Sequence, residues 1–140
     1  MKKIVLISCV SKKLEHKARA EDLYISPFFR LSLKYARKLK PDEIFILSAK
    51  HGLLALDDEI DPYDVTLNNM RAIQRKKWAD KVMEQLKIKA DLKKYHFIIL
   101  AGEKYRQYLI PYLESYEVPL REAGGIGKQL EFLKNEVGHE

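Results

Sequence analysis

The chain is 140 residues long with 46% hydrophobic residues, which suits one compact domain with a single core. Its one cysteine, Cys9, excludes an internal disulfide, and no apolar run approaches the ~20 residues that span a bilayer. The net charge of +6 is concentrated between Arg71 and Lys94, where nine Lys or Arg stand against three acids.

Lys3 to Cys9 is predicted as a first strand, apolar enough to be buried on both faces. With Met1-Lys-Lys ahead of it, this segment superficially resembles a signal peptide. Its apolar part is too short, however, and Ser11-Lys12-Lys13 stands where a cleavage site belongs, so the cytoplasm is the expected location. A polar stretch leads to about Asp22. Ser26-Pro27 then starts a helix, with Ser26 as N-cap and Pro27 at its first position. Phe28, Leu31, Tyr35 and Leu39 give that helix an apolar stripe, and Pro41 ends it.

Glu43 to Leu47 is the second predicted strand. From Ala49 to Asn68 the chain reads as a loop-rich excursion carrying five acids, and a loop that long in a compact domain is usually functional. Asn69 to about Leu86 is a further helix, with Met70, Ile73, Trp78, Val82 and Leu86 as its core positions. Tyr95 to Ala101 is the third strand, and Glu103 to about Tyr112 a helix with Pro111 near its end. Glu117 to Leu120 is a short fourth strand. The last helix runs from Gly125 to Val137, with Ile126, Leu130, Leu133 and Val137 on one face. Alternating strands and helices predict an α/β fold: a single three-layer domain over residues 1–140, its mainly parallel sheet of about four strands flanked by helices.

Four polar or glycine-rich loops each follow a predicted strand, and parallel strands would bring all four to the carboxyl edge where open α/β folds bind ligands. The first offers Ser8, Cys9, Ser11, Lys12 and Lys13, hydroxyls and cations suited to an anion; a solvated strand end is the alternative. Cys9 is read as a buried, inert thiol rather than a nucleophile. The second, Ser48-Ala-Lys50-His51-Gly52, places a donor, a cation and an imidazole just past an apolar run, where packing alone has no use for them. Gly52 would turn the chain with positive φ.

Gly102 to Tyr105 forms the third loop, with Glu103 either a candidate acid or a first-turn partner of the helix dipole. In the fourth, Gly124-Gly125-Ile126-Gly127-Lys128 resembles half of a phosphate loop. It lacks the full spacing and the following Ser or Thr, so it is not a Walker A motif. Asp61-Pro62-Tyr63-Asp64 sets two carboxylates around a rigid turn, able to orient water, bind a metal or meet sugar hydroxyls, or simply to cap the next segment. Tyr24 and Tyr105 serve a base-stacking or a core role equally well. No metal or cofactor is assigned. Arg71, Arg75, Lys76, Lys77 and Lys81 are candidate nucleic-acid contacts, or a solvated helix face.

These pieces together resemble a family of small bacterial and archaeal proteins of unknown function. Its members share a first strand ending in Ser-x-Cys-x-x-Lys, a Leu-Tyr-x-Ser-x-x-Phe segment (here Leu23 to Phe29) and the Leu47 to Leu54 block, followed by Ile60 to Asp64. A Gly-x-x-Tyr at Gly102 to Tyr105 and a Gly-Ile-Gly-Lys at Gly125 to Lys128 complete the pattern. More distantly, Ser48, Gly52, Leu53, Leu54, Ile60, Pro62 and Tyr63 are similar to a block of the YaaA peroxide-stress family, whose members are associated with DNA binding. Three functions are compatible with this reading. The first is nucleotide or nucleic-acid recognition through an anion pocket at the carboxyl edge, in stress response or repair. The second is an enzyme on a nucleotide or modified nucleoside, with Lys50, His51, Asp61, Asp64 and Glu103 supplying N-glycosidic or related chemistry. The third is a non-catalytic module for a small metabolite.

Overall fold

The computed structural model describes residues 2–8 and 12–138. Strand β1 (Lys2–Ser8) lies at the centre of a five-stranded sheet. On one side of β1 is β3 (Glu43–Ser48) and beyond it β4 (Gly52–Ala55); on the other side lie β6 (Tyr95–Leu100) and then β7 (Tyr116–Glu117). All neighbours are parallel except β4, which folds back antiparallel on β3. A separate two-stranded ladder pairs β2 (Ala18–Arg19) with β5 (Glu59–Ile60). The helices are α1 (Ala20–Leu23), α2 (Pro27–Lys38), α3 (Ala72–Lys89), α4 (Glu103–Arg106) and α5 (Ile126–Val137).

The sheet is hydrophobic on both faces because each central strand alternates two apolar sets. Ile4, Leu6, Phe45, Leu47, Phe97 and Ile99 meet α3 through Trp78, Val82 and Leu86. Val5, Ile7, Ile46, Ile98 and Leu100 turn the other way, toward Phe29, Leu33 and Ala36 of α2 and Leu133 and Val137 of α5. This is the expected three-layer α/β arrangement. Full burial of each such side chain contributes roughly 1.5–3 kcal/mol, so the central strands carry much of the core. At the start of α2 the Ser26 hydroxyl accepts the Phe29 N–H at 3.2 Å, as an N-cap should.

The differences from expectation have local causes. The sheet has a fifth strand because Gly52, at φ 78°, reverses the chain and sends Leu53 and Leu54 back along β3 instead of into a loop. The expected strand over 117–120 is β7, a two-residue edge one position earlier. Rather than one helix over 103–112, α4 gives way to a 3-10 turn at Ile110–Tyr112 that accommodates Pro111. The buried residues of α2 are Phe29, Ser32, Leu33, Tyr35 and Ala36; of the stripe read in sequence Tyr35 is among them, while Phe28, Leu31 and Leu39 pack partly buried against the same core. Ile73 and Ile126, expected in the core, are 59% and 67% exposed.

The β4 edge is closed by side chains. Gln85 of α3 accepts the Leu53 N–H at 2.8 Å and donates to the His51 carbonyl at 3.1 Å, while Asp58 accepts the Ala55 N–H at 2.8 Å. Edge amides capped in this way are not free to pair with another strand.

Candidate functional site at the carboxyl edge

Because β1, β3 and β6 are parallel, Ser8, Ser48 and Leu100 close their carboxyl ends on one edge. The β3–β4 turn is the most connected part of that edge. Ser48 is fully buried; its Oγ accepts the His51 N–H at 3.1 Å and donates to the Tyr63 hydroxyl at 2.9 Å. The Tyr63 hydroxyl in turn lies 2.5 Å from that of Tyr24, also fully buried. A chain of three hydroxyls therefore ties the end of β3 to the Asp61–Asp64 turn and to the segment before α2. The Trp78 indole N–H donates to the Ser48 carbonyl at 2.8 Å and anchors the same point from the α3 side.

Lys13 completes this corner. Its backbone bridges Tyr24, and its ammonium stands 4.5 Å from the centre of the Tyr63 ring and 5.7 Å from that of Tyr24. Cation and ring attract at this separation, more strongly where water is excluded. Lys12, Lys13, Tyr63 and Asp64 line an open cleft of about 780 Å³. Asp64 thus belongs to the lysine cleft, whereas Asp61 is an exposed turn residue outside its lining.

His51 presents its ring edge-on to Tyr63 at 5.6 Å, and its Nε2 is buried with no partner among the described residues. Burial holds its pKa below the ordinary 6.5; Lys50 and Lys81 push the same way, and Asp58 opposes them. The unfolded chain therefore takes up this proton more readily than the fold. The stability tied to neutral His51 is intact above about 6.5 and is lost as pH falls toward the lower folded value. Melting temperatures measured from pH 7.5 down to about 5.5 should fall further for wild type than for His51→Gln; parallel curves would refute the assignment.

Lys50 itself is exposed, and its carbonyl accepts from Lys81 at 3.4 Å, which draws one α3 cation to the β3–β4 turn. The other basic positions of the 71–94 region are scattered. Arg71, Lys76 and Lys77 are exposed, but Arg75 is half-buried and donates to the Met70 carbonyl at 2.6 Å. Lys76 lies over the Tyr108 ring at 5.4 Å. At 100° per residue, Asp80 and Glu84 fall on the outward face of α3 beside Lys77 and Lys81. The charge is therefore mixed rather than a single basic stripe.

A second concavity lies between the ends of β1 and β6. Strand order reverses about β1, since the chain passes first to β3 and only later to β6, which makes this the topological switch point of the sheet. Ser8, Gly102, Glu103, Arg106, Arg121 and Gly124 line an enclosed crevice of about 310 Å³ there. Three of the four loops singled out in sequence contribute to it, but the arginines were not foreseen. Gly125, Gly127 and Lys128 are exposed at the start of α5 and lie outside this lining. Tyr105, only 3% exposed, packs on Trp78 at 5.6 Å, and its hydroxyl accepts the Leu67 N–H at 3.3 Å, as in the core reading. Cys9 and Ser11 lie outside the described residues. Among the described residues no group of three His, Cys, Asp or Glu could hold a metal ion, and no helix is long and apolar enough to cross a membrane.

Comparison with known proteins adds a family but no activity. The model of the family of unknown function DUF6884 matches residues 4–135. The uncharacterized protein YfjM of Bacillus subtilis (strain 168) is 34% identical, over 98% of this chain and 96% of that protein. No solved structure gives a significant match.

Proposed function

We propose that this chain, which belongs to the DUF6884 family, recognises a nucleotide at the carboxyl edge of its sheet. The observation that carries the reading is the Lys13 ammonium at 4.5 Å over the Tyr63 ring, on the wall of a cleft of about 780 Å³. A nucleotide needs a cation for phosphate, a flat face for the base and an acceptor for sugar hydroxyls. Lys12, Lys13, the ring of Tyr63 and the carboxylates of Glu15 and Asp64 line one cleft, and a base stacking on Tyr63 takes the face over which Lys13 stands as that ammonium turns to the phosphate. The hydroxyl chain from Ser48 holds Tyr63 in place before any ligand arrives, which lowers the cost of ordering the site.

The mixed charge on the outward face of α3 favours a free nucleotide over a duplex. Calorimetry with nucleoside mono-, di- and triphosphates is the test. Lys13→Ala should weaken binding at least about tenfold, the scale of one charge-assisted contact. If nucleotides bind neither protein, while single- or double-stranded DNA or RNA binds in a salt-sensitive way lost on neutralising Lys76, Lys77 and Lys81, the nucleic-acid reading replaces this one. A catalytic version would use neutral His51 beside Tyr63 as its base. Turnover of a bound nucleotide that disappears in His51→Ala, with binding retained, would support it.

A further inference from the structure

The crevice at the switch point contains an electrostatic conflict. Arg106 is half-buried, and one of its terminal N–H groups donates to the Ala101 carbonyl at 2.8 Å. Its Nε is buried with no partner among the described residues. Arg121 reaches the same crevice from the 3-10 turn before α5. Burial pushes the Arg106 guanidinium below its ordinary value, and the like charge of Arg121 pushes it further, with only Glu103 opposing. Glu103 makes no ion pair with either arginine, and no other carboxylate among the described residues does so. Two cations, Arg106 half-buried and Arg121 exposed, thus border a partly enclosed space of about 310 Å³ without a counter-charge in contact.

Bringing like charges together in a partly desolvated site costs folding free energy, and the one bond Arg106 gives the fold, to the Ala101 carbonyl, leaves its Nε and the charge of Arg121 unmatched. Phe28, Leu100 and Leu120 supply the apolar part of the crevice lining. Such an arrangement becomes favourable once an anion sits between the two groups. Guanidinium forks match tetrahedral oxyanions better than ammonium groups do, because each can give two parallel N–H bonds. Ser8 adds a hydroxyl from the end of β1, and at Gly102 nothing stands within 4 Å of where a Cβ would lie, which leaves that wall open to a compact ligand. Glu103 stands as an acceptor on the same wall and favours an anion that carries its own O–H, as a monohydrogen phosphate or the ester of a polyol does.

We propose that this crevice is a phosphoryl-binding site, in which Arg106 and Arg121 hold an orthophosphate or a phosphate monoester. It is lined by residues different from those of the lysine cleft and does not depend on the nucleotide reading.

Titration calorimetry with orthophosphate tests it, run at constant ionic strength against chloride. Wild type should bind saturably; Arg121→Ala, at an exposed position, should lose at least about tenfold in affinity while its melting temperature in chloride is unchanged. Arg106→Lys keeps the charge but loses the fork, and should weaken binding without unfolding the protein. Lys13→Ala should bind phosphate like wild type. Heat equal to that of chloride, or equal affinities for wild type and Arg121→Ala, would overturn the proposal. So would phosphate binding that disappears in Lys13→Ala alone, and that result would leave the nucleotide reading standing. Phosphate binding that needs Arg121, together with no binding of any nucleoside phosphate at the lysine cleft, would retain this site and remove the nucleotide. Where both bind, competition between nucleotide and orthophosphate identifies the nucleotide's own phosphate as the occupant; simultaneous binding identifies a separate small phosphate.

Discussion

Trp78→Ala should remove about 3–5 kcal/mol of folding stability, the range found when a buried aromatic side chain is deleted. Against a typical total of 5–15 kcal/mol, that shift would leave the domain marginal. Trp78 is 7% exposed, packs edge-on against Tyr105 at 5.6 Å and sits among Leu6, Leu47 and Val82 in the α3-side core. It is also the anchor of the candidate site, because its indole N–H donates to the Ser48 carbonyl at 2.8 Å. Trp78→Phe separates the two roles. It keeps most of the apolar contact and deletes the hydrogen bond, so its stability cost should be only about 1 kcal/mol. If the bond positions the end of β3, Trp78→Phe should weaken nucleotide binding more than a core truncation of similar or greater cost on the same face, such as Val82→Ala. Urea unfolding gives the stabilities and calorimetry the affinities. A loss below about 1 kcal/mol for Trp78→Ala would show that α3 does not hold this end of the sheet as described.

The parts of this architecture that were legible in sequence are those fixed by local chemistry. Strands β1, β3 and β6 each place four consecutive buried residues on two covered faces, and such runs are recognisable without knowing their neighbours. The start of α2 is written in Ser26-Pro27, since the cap and the fixed φ both act within one turn. Strand β4 was not legible. Its two leucines face opposite cores, Leu53 toward α3 and Leu54 toward α2, but they follow a polar turn and make a strand too short to show alternation.

Long-range placement was the other blind spot. Lys13, Ser48 and Tyr63 were each singled out, yet nothing local joins Tyr63 to Ser48 15 positions away, or to Tyr24 39 positions away. In sequence Arg106 and Arg121 look like ordinary surface cations until the sheet order brings both to the β1–β6 switch point. Counting charge along a window says nothing of the faces on which the charges lie. Residues 71–94 are strongly basic in sequence, but helical periodicity turns the charges to different faces and places Asp80 and Glu84 among the outward lysines.

Gly52→Ala should cost about 2–5 kcal/mol, and about half or more of that cost should run through a residue 33 positions away. Two effects combine. At φ 78° an L side chain meets its own backbone, for roughly 1–2 kcal/mol. A Cβ at this position would also stand 2.3 Å from Oε1 of Gln85, far inside contact distance. Gln85 can swing away only by releasing the Leu53 N–H and the His51 carbonyl, two bonds that net about 0.5–1.5 kcal/mol each. Gln85→Ala alone should lose those bonds and leave the turn intact. In the double variant the added methyl group meets no glutamine, so the costs should fall short of additivity by about 1–2 kcal/mol. The same cycle read by nucleotide affinity tests whether the β3–β4 turn matters to binding, because Lys50 and His51 lie within it. A fully additive stability cycle would mean that a Cβ at position 52 does not displace Gln85. The absence of a side chain at Gly52 would then be explained by its backbone angle alone.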